Sequence, residues 1–285
     1  MDTQDTKTVK DLLSEAGLRP KKGLGQHFLV AKPFLELIAK AANLKKQDTV
    51  LEIGPGLGVL TEALAKRAKN VVAVEKDPAM VEILEKTVAK KHPNVKIIES
   101  DILSLARPRK EILGRAKEYK LVANLPYYIA THVIRKFLET EHQPKLMVLM
   151  VQKEVGQRIC AKPPQMSLLA VAMQAYAKAE IVSFVPKNAF WPQPKVDSAI
   201  IRLTPRKAWK NTGDSSYFST VFFNVVKAGF KQPRKQLAGN LAKGLGIGKE
   251  EIIKTLSQLD ISSTARAETL SIEDWLKLAK LFAKK

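Results

Sequence analysis

Through the first two thirds of the chain, short apolar runs alternate with segments whose apolar residues recur every three to four positions. That alternation predicts a parallel β-sheet covered by helices. The expected strands are Thr49 to Ile53, Val71 to Glu75, Val95 to Glu99, Lys120 to Asn124 and Leu146 to Gln152. Between them, Leu60 to Ala68, Pro78 to Lys90 and Thr131 to Glu139 carry the spacing of amphipathic helices. Pro33 and Pro78 suit the first turn of a helix, where a missing amide proton costs nothing. Two later runs, Glu180 to Val185 and Ser198 to Leu203, flank a proline-bearing loop from Pro186 to Pro194 and are read as an antiparallel pair at the sheet edge.

After Thr204-Pro205 the pattern turns to helices alone: Ser216 to Ala228, Lys235 to Leu241, Lys249 to Leu259 and Ile272 to Ala283. Three parts are therefore expected: a basic, mobile segment over 1–22, a sheet domain over 23–205 and a small helical domain over 206–285. The fold class is α/β, a Rossmann-like sheet with an all-helical C-terminal domain.

Composition narrows the partners. The chain has 285 residues, 45% of them hydrophobic, enough for a substantial core. No apolar run approaches the roughly 20 residues that span a bilayer, and the first ten residues are polar and mixed in charge, unlike a signal peptide. A soluble, cytoplasmic protein without membrane contact is expected. Cys160 is the single cysteine and four histidines lack metal-ligand spacing, so neither disulfide nor metal is expected. Lys and Arg number 48 against 28 acidic residues, a net charge of +20 that favours a polyanion such as nucleic acid. Residues 206–285 hold 15 basic and 7 acidic residues, net +8, which makes the helical tail the more basic part per residue and a candidate for phosphate contacts.

Candidate chemistry begins at Val50-Leu51-Glu52-Ile53-Gly54-Pro55-Gly56-Leu57-Gly58, a buried strand entering a tight turn and then a helix. Glycine lets the turn adopt backbone angles closed to other residues and lets a ligand touch main chain. The spacing is G-x-G-x-G, with Val59 where a dinucleotide fingerprint has its third glycine, which weakens a nicotinamide reading. The next strand ends in Glu75, placed to accept ribose hydroxyls, and the third leads into Asp101, placed to accept from an adenine amine. Singly these signals are weak; in this order they point to S-adenosylmethionine.

Downstream lies Asn124-Leu125-Pro126-Tyr127. The exocyclic amine of a base is a poor nucleophile because its lone pair is delocalised into the ring. Two fixed carbonyl oxygens that accept its protons push the nitrogen towards tetrahedral geometry and free that lone pair. Asn124 offers a side-chain oxygen, the Leu125-Pro126 turn offers a main-chain carbonyl, and Tyr127 offers a face on which an extruded base stacks. Phe190 is a second candidate stacking surface.

The series Gly25-Gln26-His27-Phe28-Leu29, Glu52-Ile53-Gly54-Pro55-Gly56, Val74-Glu75-Lys76-Asp77, Asn124-Leu125-Pro126-Tyr127-Tyr128, Phe190 through Ser198 and Arg266-Ala267-Glu268 resembles the ribosomal RNA adenine dimethylases over nearly the whole chain, and most closely those acting on the bacterial small subunit. The resemblance implies that His27, Leu29, Gly54, Gly56, Glu75, Asp101 and Asn124 bind the cofactor, with His27 and Leu29 helping to close over it. It implies that Asn124, Leu125, Pro126, Tyr127 and Phe190 hold the target adenine. It further implies two adjacent adenosines in the 3′-terminal hairpin loop of 16S rRNA, modified on a late small-subunit precursor; for the oligomeric state, which the sequence does not give, a monomer is the default expectation. One departure is Pro233, where the family more often has a basic residue. Rival readings are a large-subunit dimethylase of the macrolide-resistance type, a non-catalytic RNA-binding assembly factor on the same fold, and a DNA adenine methylase; the last often has Asp at the place of Asn124 and carries a target-recognition insert not seen here.

Overall fold

A computed structural model describes residues 3–15, 17–21, 23, 25–105, 112–113, 116, 118–206 and 215–283. Its strands are β1 (Phe28–Leu29), β2 (Thr49–Ile53), β3 (Asn70–Glu75), β4 (Val95–Glu99), β5 (Lys120–Asn124), β6 (Leu146–Gln152), β7 (Ala177–Val185), β8 (Phe190–Trp191) and β9 (Ser198–Pro205). The helices are α1 (Thr3–Glu15), α2 (Lys32–Ala41), α3 (Val59–Ala65), α4 (Pro78–Leu84), α5 (Ala130–Leu138), α6 (Lys153–Ile159), α7 (Leu168–Tyr176), α8 (Ser215–Gly229), α9 (Leu237–Leu245), α10 (Lys249–Ser257) and α11 (Ile272–Phe282).

Seven strands form one sheet in the order β4-β3-β2-β5-β6-β9-β7, and β1 and β8 form a separate two-stranded ribbon. From β4 to β6 every pairing is parallel, whereas β9 runs antiparallel to β6. The central strands are buried on both faces, which is why their sequences read as unbroken apolar runs rather than alternating ones. The outer strands β4 and β7 mix buried with exposed positions, as edge strands do. In α5 the buried residues Ala130, Val133, Ile134, Phe137 and Leu138 fall on one stripe at the helical period.

By its contacts the chain divides into two compact units, one of residues 1–156 with 180–205 and one of 157–179 with 206–285. The sheet domain expected over 23–205 thus loses its segment 157–179. The reason is packing: Met166, Ala170, Val171 and Ala175 share a buried cluster with Phe222, Leu241, Leu256 and Trp275 of the helical unit. Residues 207–214, directly after the expected boundary, lie outside the described residues. The 1–22 segment also differs from expectation, because residues 3–15 form α1, whose Val9 and Leu13, one helical turn apart, join a buried cluster with Phe28, Val30, Leu57 and Met80. Among the described residues no helix is long and apolar enough to cross a membrane.

The turn after β2 fixes the first constraint on any ligand. Gly54, Gly56 and Gly58 take φ of +67°, +57° and +80°, in the left-handed region that side chains disfavour. At Gly58 an added Cβ would lie 2.5 Å from Val88 Cγ2 and 2.7 Å from Leu84 Cδ2. Absence of a side chain there lets α3 start against α4 and the π-helical turn Glu85–Ala89 that follows it.

Glu52 sits in β2 with 1% exposure, and its Oε2 has no hydrogen-bond partner. Burial, partly offset by the nearby Thr61 hydroxyl and reinforced by the Glu75 charge, pushes its carboxyl up to about 8. It is therefore mostly protonated at neutral pH.

Two outcomes follow. Gly58→Ala should destabilise the sheet unit by about 2 to 4 kcal/mol, combining the left-handed backbone cost with overpacking against Val88; an unchanged thermal midpoint would contradict this. Glu52 has a folded-state pKa above its unfolded value, so the folded protein holds the proton more tightly. Its contribution to stability is complete below about pH 4.5 and is lost as pH rises through about 8. Glu52→Gln should flatten this decline, whose slope for a single group approaches 1.4 kcal/mol per pH unit. Parallel stability profiles for the parent and the variant between pH 5 and 8 would rule it out.

Candidate active site

At the carboxyl ends of β2, β3 and β5 a cleft opens that is lined by His27, Leu29, Gly54, Gly56, Glu75, Asp101, Asn124, Leu125, Pro126, Tyr127 and Phe190. Every site residue expected from the sequence meets in this one cleft. The location is where ligands enter open α/β sheets, beyond the strand ends.

The glycine turn and Glu75 are mutually dependent. Glu75 Oε1 accepts from the main-chain nitrogens of Lys76 (2.8 Å) and Asp77 (2.9 Å), and Oε2 accepts from Gly56 N (3.2 Å). A carboxylate offers about four acceptor positions, so three are engaged by protein. Burial raises the Glu75 carboxyl, and these three N–H donors oppose the rise. One acceptor position is left to the cleft.

Asp101 is more open. Its Oδ2 pairs with Lys76 Nζ at 2.7 Å and its Oδ1 accepts from Leu103 N at 2.9 Å. The Lys76 ammonium, helped by the Leu103 amide, holds the carboxyl below the usual range. Lys76 thus lies across the place assigned to an adenine amine, and a charged residue between two acids in sequence was the signal that could have revealed it.

Asn124 ends β5, and its Nδ2 donates to the main-chain oxygen of His27 at 3.3 Å. That contact orients the amide and leaves Oδ1 as the acceptor available to a ligand. In the following turn Pro126 O accepts from Ile129 N at 3.1 Å, so Leu125 O is the main-chain acceptor left beside it. Leu125 itself is buried, its side chain anchoring the turn in the core. Tyr127 stacks on His27 with ring centroids 6.1 Å apart and an interplanar angle of 21°. His27 Nδ1 in turn donates to Pro192 O at 2.7 Å.

Phe190 differs from the expectation of an open stacking surface. It pairs with Leu29 in the β1–β8 ribbon and is 2% exposed, packed among Leu29, Leu35, Ile38 and Ile200. Its ring is part of the cleft wall rather than a free platform. Two residues that sequence reasoning passed over also belong to the site. Glu52 lines the cleft, with its carboxyl oxygen Oε2 buried and without a hydrogen-bond partner, and a lone acid within an apolar strand was its visible sign. Tyr128 lines the mouth with 56% of its surface exposed.

The entry segment is fastened to the rim. Asp77, capping α4 through Ala79 N, also accepts from Lys21 Nζ at 2.9 Å and from Gln26 Nε2 at 3.0 Å. Burial alone would raise Asp77, but the hydrogen bonds and charge supplied by Lys21 and Gln26 outweigh it and hold the carboxyl low. The ring of Phe28 covers Gly56 so closely that a Cβ there would lie 3.0 Å from it.

With this geometry in place, comparison with known proteins assigns the chain. Its residues 17–284 match the family model described as ribosomal RNA adenine dimethylase. It is 46% identical over 274 residues, 96% of this chain and 92% of the other, to ribosomal RNA small subunit methyltransferase A of Dehalococcoides mccartyi. The crystal structure of a dimethyladenosine transferase from Plasmodium falciparum superposes with a TM-score of 0.76 at 27% identity, covering 90% of this chain and 98% of that one. That of the 23S rRNA methyltransferase ErmE gives 0.73 at 26% identity, over 88% and 98%. A match that runs from before the glycine turn to the end of the last helix places this protein in the ribosomal RNA adenine dimethylase family.

Proposed function

We propose that this protein dimethylates the exocyclic amine of adenosine in small-subunit ribosomal RNA, using S-adenosylmethionine, during small-subunit assembly. The observation that carries the chemistry is the pair of fixed acceptors, Asn124 Oδ1 and Leu125 O, at the end of β5 within the same cleft as the glycine turn. Preference for the small subunit rests on the 46% identity to a small subunit methyltransferase; the fold is shared about equally with a 23S rRNA enzyme.

The cleft suits the cofactor in three ways. The turn at Gly54 to Gly58 brings main chain to the surface, Glu75 keeps an acceptor position for ribose, and Asp101 has an acid at the place of the adenine. The buried carboxyl of Glu52 has an oxygen with no protein partner, the mark of a group that a ligand completes. His27 and Leu29 belong to the strand and loop that cover the cleft. When bound, S-adenosylmethionine supplies an electrophilic sulfonium methyl.

The protein's part is then to present a nucleophile. Asn124 Oδ1 and Leu125 O each accept one proton of the adenine amine, drawing its lone pair out of conjugation. Because Asn124 is already tethered to His27, little reorganisation accompanies this step, which is the source of its catalytic value. Tyr127 carries the base on its ring, and Phe190 closes the wall behind it. No general-base histidine is needed, since the product ammonium is strongly acidic and gives its proton to water. Two adjacent adenosines in the 3′-terminal hairpin loop, on a late precursor particle, are the proposed targets, and a monomer is the proposed active form.

The helical unit supplies a basic surface. Lys231, Arg234 and Lys235 are exposed in the loop between α8 and α9, and the buried Asn240 pins this loop by donating to Gly229 O at 2.8 Å and Gln232 O at 2.9 Å. Such a rigid cationic loop fits a phosphate backbone. Pro233 at its tip shapes the turn in place of one more charge.

Two measurements bear on this reading. Asn124→Ala should abolish methyl transfer to small-subunit particles while cofactor affinity changes by only several fold. Mass spectrometry of the RNA, with naked large-subunit RNA assayed alongside, is the check; surviving turnover, or activity confined to the large-subunit RNA, would overturn it. Glu75→Gln should weaken cofactor binding by roughly tenfold to a hundredfold, the worth of hydrogen bonds to a charged acceptor. Calorimetry showing unchanged affinity would move the ribose elsewhere.

A further inference from the structure

The segment from Phe190 to Ser198 belongs to the family resemblance, yet the chemistry above uses Phe190 alone. Its last residue, Ser198, begins β9, is fully buried, and pairs in register with Gln152 at the end of β6. Its Oγ lies 2.8 Å from the hydroxyl of Tyr127, 71 positions earlier in the chain. Serine in a buried strand has poor packing value, so the hydroxyl is explained by its partner. That partner is the residue proposed to carry the target base.

The restraint on Tyr127 is consequently two-sided. His27 stacks against the face of the ring, and Ser198 holds the phenolic tip. A tyrosine held only at its hydroxyl can still turn about its Cβ–Cγ axis; held at tip and face it cannot. Ser198 is itself held, because β9 is locked to β6 by backbone pairing and its predecessor Asp197 accepts at its main-chain oxygen from Lys153 N at 2.9 Å. The Asp197 carboxylate also accepts from Lys187 N at 3.1 Å, at the start of the short turn Lys187–Ala189 that leads into Phe190. Both aromatic walls of the cleft are thereby referred to one point, the first residues of β9. The distance between those walls decides whether a purine fits.

We propose that Ser198 is a positioning residue for the target adenine: its hydroxyl sets the angle of the Tyr127 ring, and with it the width of the slot that receives the base. This rests on the reading of Tyr127 as the surface that carries the base. Ser198 is not among the residues lining the cleft, so the effect belongs to RNA turnover alone. Loss of one neutral hydrogen bond, with the misplacement that follows, should lower kcat/KM for the RNA particle by roughly tenfold.

The test is a cycle of single and double variants, assayed on small-subunit particles with cofactor affinity measured in parallel. Ser198→Ala should lose roughly tenfold in kcat/KM with cofactor affinity unchanged within twofold, and Ser198→Thr, which keeps a hydroxyl, should recover most of it. Tyr127→Phe removes the same hydrogen bond from the other side and should lose a similar factor. The double variant should be no worse than either single one. Parent-like activity of Ser198→Ala, losses that multiply in the double variant, or a parallel fall in cofactor affinity would each overturn the proposal. Should Ser198→Ala fail to fold, Tyr127→Phe against Tyr127→Ala decides: equal activity of parent and Tyr127→Phe refutes the role of Ser198. Full activity of Tyr127→Ala would instead refute the base-carrying role of Tyr127, a failure of the parent reading that the other arms do not mimic.

Discussion

One buried carboxylate organises the cleft. Glu75, at the end of β3, accepts from Gly56 in the turn after β2 and from Lys76 and Asp77 in its own following turn, so the turns after two neighbouring strands share a single acceptor. A carboxylate taken out of water is costly, and only such a set of donors makes its burial tolerable. The left-handed glycines are the counterpart of that arrangement: they let Gly56 turn its N–H towards Glu75 while leaving its other face to Phe28. Shape of the turn, direction of the amides and acceptor capacity for a ribose are therefore a single property.

From that fixed rim the rest of the site is assembled by segments remote in sequence. Lys21 and Gln26 bind Asp77, which directly follows the Glu75 turn and starts α4. This brings the His27 main-chain oxygen to Asn124, while the next two residues pair with Phe190 and Trp191. Lys10 then lies 5.6 Å over the Trp191 ring, which ties α1 into the same assembly. The amide of Asn124 is thus oriented by a chain of contacts that begins at the turn after Glu75, and a disturbance there reaches Asn124 without touching it.

Much of this was legible in the sequence, for identifiable reasons. Strands β2, β5 and β6 fall at the expected residues because parallel strands buried on both faces are continuous apolar runs with turn residues at their ends. The strand-end acids and the asparagine turn were legible because their order along the chain is dictated by that sheet. What escaped was structure without a period. The β1–β8 ribbon is two residues per strand, too short for any alternation to register. α7 is apolar nearly all round, so its membership of the helical unit could not be read from its own pattern. Whether Phe190 stacks on a ligand or packs against its own domain could not be read from a proline-rich loop; pairing with Leu29 buries it. The tyrosine–serine contact spans 71 residues, and nothing in either motif says that its two hydroxyls meet.

The electrostatics divide the labour between two kinds of ligand. Within a chain of net charge +20, the charged side chains lining the cleft after β3 and β4 are the acids Glu75 and Asp101 and the Lys76 ammonium paired with Asp101, while the Glu52 carboxyl is held mostly protonated. The lining is net acidic, so it favours a cation over a phosphate. Glu52 adds a graded response: burial keeps it protonated at neutral pH, and a cation beside it would draw the carboxyl back towards its charged form. The exposed lysines and arginine of the α8–α9 loop present the opposite sign on a surface stiffened by Asn240. Salt would therefore weaken the association of a polyanion with that loop more than that of a small cation with the cleft, because a polyanion releases many counterions on binding and a small cation few.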